Sequence, residues 1–234
     1  MAKILMFGNQ KGGIGKTATT VMTATAFSQT PFNLKTVVID LDNQKSVIRS
    51  RKFDLRAYDT TDVPFEALSY TIAELQENIQ RLDKEYQLIL IDVAGKMDNT
   101  QPIETQEVTK ALMYVDCLFI PFVAGNYNLE STLDYFTFIK KVQTIRSLQQ
   151  RNLTVYGFVN MHRARSRANA FLSEDIEILK QSERLTMLDT ALHDYSIFRE
   201  ADTITSLYDI NSNDTAKQNF AQFINEILKT IQSN

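Results

Sequence analysis

Four of the seven glycines in this 234-residue chain stand in one stretch, GNQKGGIGKTATT, at residues 8–20. Gly8, Gly12, Gly13 and Gly15 surround two lysines, Lys11 and Lys16, and the hydroxyl of Thr17. Glycine lets backbone turn through positive φ and lets N–H groups approach a ligand without a Cβ in the way. The apolar run Ala2 to Phe7 precedes this stretch and a helical pattern, Thr17 to Ser28, follows it. Strand, glycine loop and helix in that order form the setting of a phosphate-binding loop. The N–H groups from Gly12 through Ile14, Gly15, Lys16 and Thr17 to Ala18 would face a polyphosphate. Lys16 would neutralise its β and γ phosphates, and Thr17 would ligate magnesium. A plain strand-to-helix turn needs neither the lysine nor the threonine at that spacing.

The strict pattern G-x-x-x-x-G-K-S/T wants a glycine at position 10, where this chain has Gln10. What stands there is Lys11-Gly12-Gly13-Ile14-Gly15-Lys16-Thr17, a deviant Walker A motif with an additional early lysine. Here the sequence resembles the ParA/MinD family of ATPases, and Asn9-Gln10 makes it most similar to the ParA branch. The resemblance implies ATP and Mg2+ as cofactors. It also implies a homodimer on ATP binding, in which Lys11 reaches the nucleotide of the other subunit.

Two further carboxylate sites follow. Ile39-Asp40-Leu41-Asp42-Asn43-Gln44 resembles the family's D-x-D-P-Q motif, with Asn43 in place of proline. Alternation along a strand would put Asp40 and Asp42 on one face, where they repel unless a cation lies near; a solvated turn after a strand is the other reading of the spacing. By resemblance, Asp40 organises the magnesium shell and Lys11, and Asp42 positions or activates the attacking water. Leu88-Ile89-Leu90-Ile91-Asp92 has the Walker B form, making Asp92 a metal-site residue. Gly95 then offers an N–H to the γ-phosphate in a nucleotide-ordered switch, or serves as a tight turn. At the end of the run Val155 to Val159, Asn160 matches the position where relatives hydrogen-bond adenine, and it equally suits a turn former.

The elements that must position these residues alternate along the chain. Apolar strand-like runs at 2–7, 36–41, 88–92, 118–122 and 155–159 are separated by helical stretches around 17–29, 71–84, 104–113, 128–149 and 168–182. That pattern predicts an α/β fold, a mostly parallel sheet with helices on both faces, in a single P-loop ATPase domain spanning 1–234. Ligands in such sheets bind beyond the carboxyl ends of the strands. Residues 54–64 read as a long polar loop or insertion. Phe220, Phe223, Ile224, Ile227, Leu228 and Ile231 predict a final core-packing helix rather than a membrane anchor.

Composition narrows the function classes. With 44% apolar and 23% charged residues the chain has ordinary globular composition. A lone Cys117 in an apolar run reads as a small buried hydrophobe, and one cysteine with two histidines builds no zinc cluster. No signal sequence and no apolar run of roughly 18 residues is present, which predicts a cytoplasmic protein with no stable membrane anchor.

Net charge is −3, so any polyanion surface must come from local clustering. His162-Arg163-Ala164-Arg165-Ser166-Arg167 is the dense cationic stretch, extended by Lys140, Lys141, Arg146 and Arg151. Arg163, Arg165 and Arg167 suit contacts to a DNA backbone, which need charge but no base reading. They equally suit a solvated loop, or contacts to nucleotide or the partner subunit. Tyr195 to Ala201 is similar to a short family helix near the dimer face.

The resemblance is to small ParA-like partition proteins without an N-terminal helix-turn-helix, including those of conjugative elements. It implies an ATPase that dimerises on ATP, binds DNA non-specifically on the nucleoid, and answers to a small DNA-binding partner that stimulates hydrolysis. Its process would be maintenance of a plasmid or mobile element. Two other classes stay open: a MinD-like or cargo-positioning ATPase on a membrane or protein scaffold, and a nucleotide-gated module without turnover.

Overall fold

The computed structural model describes residues 1–94, 102–181 and 185–233. Seven parallel strands form one sheet: β1 (Lys3–Phe7), β2 (Thr36–Asp40), β3 (Glu66–Ser69), β4 (Leu88–Asp92), β5 (Cys117–Phe122), β6 (Thr154–Val159) and β7 (Thr186–Met187). Their order is β3-β2-β4-β1-β5-β6-β7, which brings β1 between β4 and β5 at the centre. The helices are α1 (Lys16–Ser28), α2 (Ser46–Ala57), α3 (Ile72–Glu85), α4 (Pro102–Leu112), α5 (Asn126–Leu148), α6 (Arg167–Gln181), α7 (Ser196–Arg199) and α8 (Thr215–Gln232).

Period-2 alternation divides the core between the two sheet faces. Ile4, Met6, Ile39, Ile91 and Ile120 point to one side and pack with apolar residues of α3, α5 and α6. Leu5, Phe7, Val38, Leu90 and Phe119 point to the other, against Ala24 and Phe27 of α1 and Phe220, Phe223 and Ile227 of α8. Both faces are covered, which is why the strands read as near-continuous apolar runs. Cys117 is buried in β5, filling space as a small apolar side chain.

The sequence reading finds five strands and helices α1, α3, α4, α5, α6 and α8 within a few residues, and it misses α2, β3 and the two-residue β7. The polar loop expected over 54–64 is corrected at its start, because residues 54–57 close α2. That helix escapes apolar periodicity because two of its three buried positions are charged, Arg51 and Asp54, with Val47 the third. Arg51 donates to Thr203 Oγ1 at 2.9 Å and to the Phe65 carbonyl at 2.8 Å. Asp54 accepts from the Thr203 amide at 2.9 Å and its hydroxyl at 2.7 Å. Each buried charge thus keeps partners, as burial requires.

Candidate functional site

All seven strands run the same way, so the turns after β1, β2, β4 and β6 gather at one end of the sheet. The glycine loop lies there between β1 and α1. Gly15 caps α1 in the left-handed region, φ 86°, which a side chain disfavours. A Cβ on Gly15 would also stand 2.6 Å from Nδ2 of Asn160. Gly8, at the loop's entrance, is equally constrained, since a Cβ there would come within 2.5 Å of the Tyr135 hydroxyl.

Side chains flanking the loop fix its path. Asn9 donates through Nδ2 to the Pro121 carbonyl (3.1 Å) and to Thr132 Oγ1 (2.9 Å), and its Oδ1 accepts the Lys11 amide at 3.2 Å. Gln10 donates to the Ser131 carbonyl at 2.7 Å. Asn160, 6% exposed at the end of β6, donates to the Ile14 carbonyl at 2.8 Å. The sequence reading left Asn160 between adenine recognition and a turn former; in this structure its amide nitrogen is a strut beneath the phosphate loop.

Inside the loop, Lys16 is 6% exposed and its Nζ donates to the Lys11 carbonyl at 2.7 Å, curling the loop around the ammonium. Burial lowers its pKa to about 8, opposed by the charges of Asp92 and Asp42. Thr17 donates its hydroxyl to the Asp92 carboxylate, with distances of 2.9 and 3.1 Å to the two oxygens. Asp92 is fully buried, and that burial pushes its pKa up to about 7 against the Thr17 hydrogen bond and the Lys16 charge.

The two carboxylates of the D-x-D turn diverge, which corrects the expectation of a shared strand face. β2 ends at Asp40, so alternation does not carry on to Asp42. Asp40 is fully buried, paired in register with Asp92, and its oxygens are taken by backbone N–H groups. Oδ1 accepts from Asp42 at 3.1 Å; Oδ2 accepts from Val47 at 3.0 Å and Ile48 at 3.4 Å, at the N-terminus of α2. Burial raises the Asp40 pKa, and these three hydrogen bonds oppose the rise. Asp42 lies on the turn, accepts from the Gln44 amide at 2.8 Å, and faces the cavity.

That cavity, about 550 Å3, is lined by Gly12, Gly13, Gly15, Lys16, Thr17 and Ala18, by Asp42, Asn43 and Gln44, and by Val93, Ala94, Met161 and Arg199. It suits a nucleotide in size, and one wall is formed by the glycine loop and the first turn of α1. The residues also suit a magnesium ion held through phosphates: one hydroxyl and one carboxylate already paired, and among the described residues no group of three acidic, His or Cys side chains able to cage a metal alone. Lys11 is half-buried and outside the cavity lining. Gly95 lies outside the described residues.

The cationic loop is less free than its sequence suggests. Arg163, Arg165 and Arg167 are exposed. Arg163 binds Asp194 through both Nε and Nη2 at 2.5 Å, and Arg199 donates to the same carboxylate through Nε at 3.0 Å. Arg167 lies 5.5 Å from the Phe171 ring centre. Arg146, expected to extend the patch, is 3% exposed and donates to the Leu112 carbonyl at 2.9 Å, so it belongs to the interior. Arg199, within the Tyr195–Ala201 stretch likened to a short helix near the dimer face, lines the cavity, whereas Asp194, which holds it, had no signal in the sequence.

Comparison with known proteins agrees with this geometry. Residues 5–203 match the model of the CobQ/CobB/MinD/ParA nucleotide binding domain. Among curated proteins none matches the sequence. Among solved structures, the chain is similar to a plasmid partition protein from Borrelia burgdorferi, at 20% identity and TM-score 0.67 over 98% of this chain and 99% of that one. It is also similar to Cyanothece McdA in complex with ATP, at 15% identity and TM-score 0.70 over 97% and 96% of the two chains. The pNOB8 ParA bound to nonspecific DNA superposes with TM-score 0.62 at 16% identity over the whole of both chains. No described helix is long and apolar enough to cross a membrane. With a family match over residues 5–203, a parallel seven-stranded sheet and a phosphate loop at its carboxyl end, the chain belongs to the CobQ/CobB/MinD/ParA nucleotide-binding family.

Proposed function

We propose that this protein is a ParA-like ATPase that closes into a dimer around ATP, binds DNA without sequence preference in that state, and serves the maintenance of a plasmid or mobile element. The observation that carries the reading is the phosphate cradle: a buried Lys16 held on the Lys11 carbonyl, beside a Thr17 hydroxyl already directed at Asp92. Such a cradle holds a nucleoside triphosphate by backbone N–H groups and one fixed ammonium.

Thr17, with Asp92 behind it, would hold magnesium through the phosphates, and the ion when bound supplies charge neutralisation on the β and γ oxygens. Asp42, half-buried on the cavity wall, orients the attacking water. Asp40 holds the D-x-D turn and the start of α2 in place, so that Asp42 keeps its position. Lys11 acts across the dimer, and Gly95 contributes an N–H to the γ-phosphate. Asn160 serves the nucleotide from beneath the loop, by holding the Ile14 carbonyl in place. A small DNA-binding partner accelerates hydrolysis, and the cycle runs on the nucleoid.

Light scattering with and without a non-hydrolysable ATP analogue, followed by duplex pull-down, tests this reading. The expected result is a doubling of mass and DNA retention only with the analogue. A monomer that neither grows nor retains DNA at saturating nucleotide overturns it; vesicle binding in place of DNA moves the protein to the membrane-positioning class.

A further inference from the structure

The polyanion surface expected from the sequence was the loop 162–167, yet there Arg163 is bound to Asp194. The missed helix α2 carries a second cationic face. Lys45, immediately before it, and Arg49, Lys52 and Arg56 within it are all exposed. Their spacing of four, three and four residues puts them on one stripe of a 3.6-residue helix, about 16 Å from end to end at 1.5 Å per residue. Val47, Arg51 and Asp54 are the positions buried on the other side.

No acid offsets this stripe from within the helix. Asp54, its sole acidic residue, is buried and given over to Thr203. Among the described residues, no carboxylate stands within ion-pair distance of Lys45, Arg49, Lys52 or Arg56, although Lys45 does feel the charge of Glu74. Three or four unpaired cations in a line, on a chain of net charge −3, cost self-repulsion that a partner of opposite charge removes. The stripe also adjoins the nucleotide site. Arg49, Ser50 and Phe53 line a hollow with Ala201, two residues beyond Arg199 of the nucleotide cavity.

We propose that the exposed face of α2, through Arg49, Lys52 and Arg56, is a docking surface for the phosphodiester backbone of duplex DNA. This rests on the DNA-binding reading above and deepens it by naming the surface. A straight row of cations suits the regular array of phosphates along one strand and carries no base information. A lipid surface is the weaker partner for this face. Phe53 is the one large apolar residue of α2 that is exposed, and lasting adsorption to a bilayer needs an apolar stripe under the charge.

The test is a salt titration of a fluorescent random duplex, with a non-hydrolysable ATP analogue, on wild type and on Arg49→Gln/Lys52→Gln/Arg56→Gln. Each phosphate contact contributes about 0.9 to the slope of log affinity against log salt, so three contribute about 2.7. Between about 50 and 200 mM salt, wild type then loses about 40-fold more affinity than the triple variant. The charge-keeping set Arg49→Lys/Lys52→Arg/Arg56→Lys restores the slope, and Lys52→Gln alone lowers it by about 0.9. ATP hydrolysis stays at the wild-type rate, since these side chains do not line the cavity. A glutamine variant with the wild-type slope overturns the α2 surface. If Arg163→Ala/Arg165→Ala/Arg167→Ala then abolishes binding, the DNA reading survives with the loop as its surface. Wild type that binds no duplex at low salt overturns both. Loss of pelleting with phosphatidylserine vesicles, with duplex binding unchanged, overturns the α2 proposal in favour of lipid.

Discussion

Asn160→Ala separates a strut under the phosphate loop from an adenine reader. The substitution removes the 2.8 Å hydrogen bond to Ile14 and strands that carbonyl beneath a loop whose next residue, Gly15, already sits at positive φ. A lost buried hydrogen bond costs about 1 kcal/mol, and an acceptor left without a partner adds about 1 more. If the loop stays within the cooperative fold, those roughly 2 kcal/mol lower the melting midpoint by about 4–8 °C for a chain of this size. If the loop instead loosens locally, nucleotide binding must reorder it, and 2 kcal/mol becomes about a 30-fold weaker Kd. Either way the effect is blind to the base. Titrating fluorescent ATP and GTP against wild type, Asn160→Ala and Asn160→Asp, alongside thermal melts, reads both quantities. Asp keeps an acceptor but lacks the donor, so it should behave like Ala. Equal losses for ATP and GTP are expected. An unchanged melt together with weakened ATP and unaltered GTP would refute the strut and return Asn160 to base recognition.

Lys16→Ala should abolish nucleotide binding by calorimetry, because it removes the one ammonium enclosed by the loop. Lys11→Ala should retain most of the monomer's ATP affinity yet stay monomeric with ATP in light scattering; normal dimerisation would remove the role across the interface. Asp42→Ala should hydrolyse ATP at least about 100-fold more slowly while still binding it, so that dimers accumulate, and a wild-type rate would exclude Asp42 from the water-positioning role. Asp194 is held below the usual carboxylate range by its hydrogen bonds from Arg199 and Arg163. A depressed folded pKa stabilises above the ordinary value of 3.8 and loses that contribution as pH falls below it, so Asp194→Asn should lower stability at neutral pH and converge on wild type at acid pH, flattening the acid limb of a stability-against-pH curve.

The chemistry of this protein is local in sequence and was legible there. A lysine enclosed by glycines and a following threonine need only their own order and spacing to announce a phosphate site, because the strand-loop-helix turn that uses them is contiguous; Asp92, 75 residues on, reaches Thr17 only through the pairing of β1 with β4. The parallel sheet was equally legible, since strands buried on both faces must be apolar throughout. Tertiary structure decided what depends on distant partners. Helix α2 was invisible because its inward positions are Arg51 and Asp54, which become buriable only when Thr203, some 150 residues later, meets them. The division of labour between Asp40 and Asp42 follows from where β2 stops, which alternation along a strand cannot tell. Asn160 under the loop, and Arg163 and Arg199 on one Asp194, arise where β6 and α7 converge on the glycine loop. Sequence determines which groups a chain brings; only packing sets which of them neutralise one another and which remain free to meet a ligand.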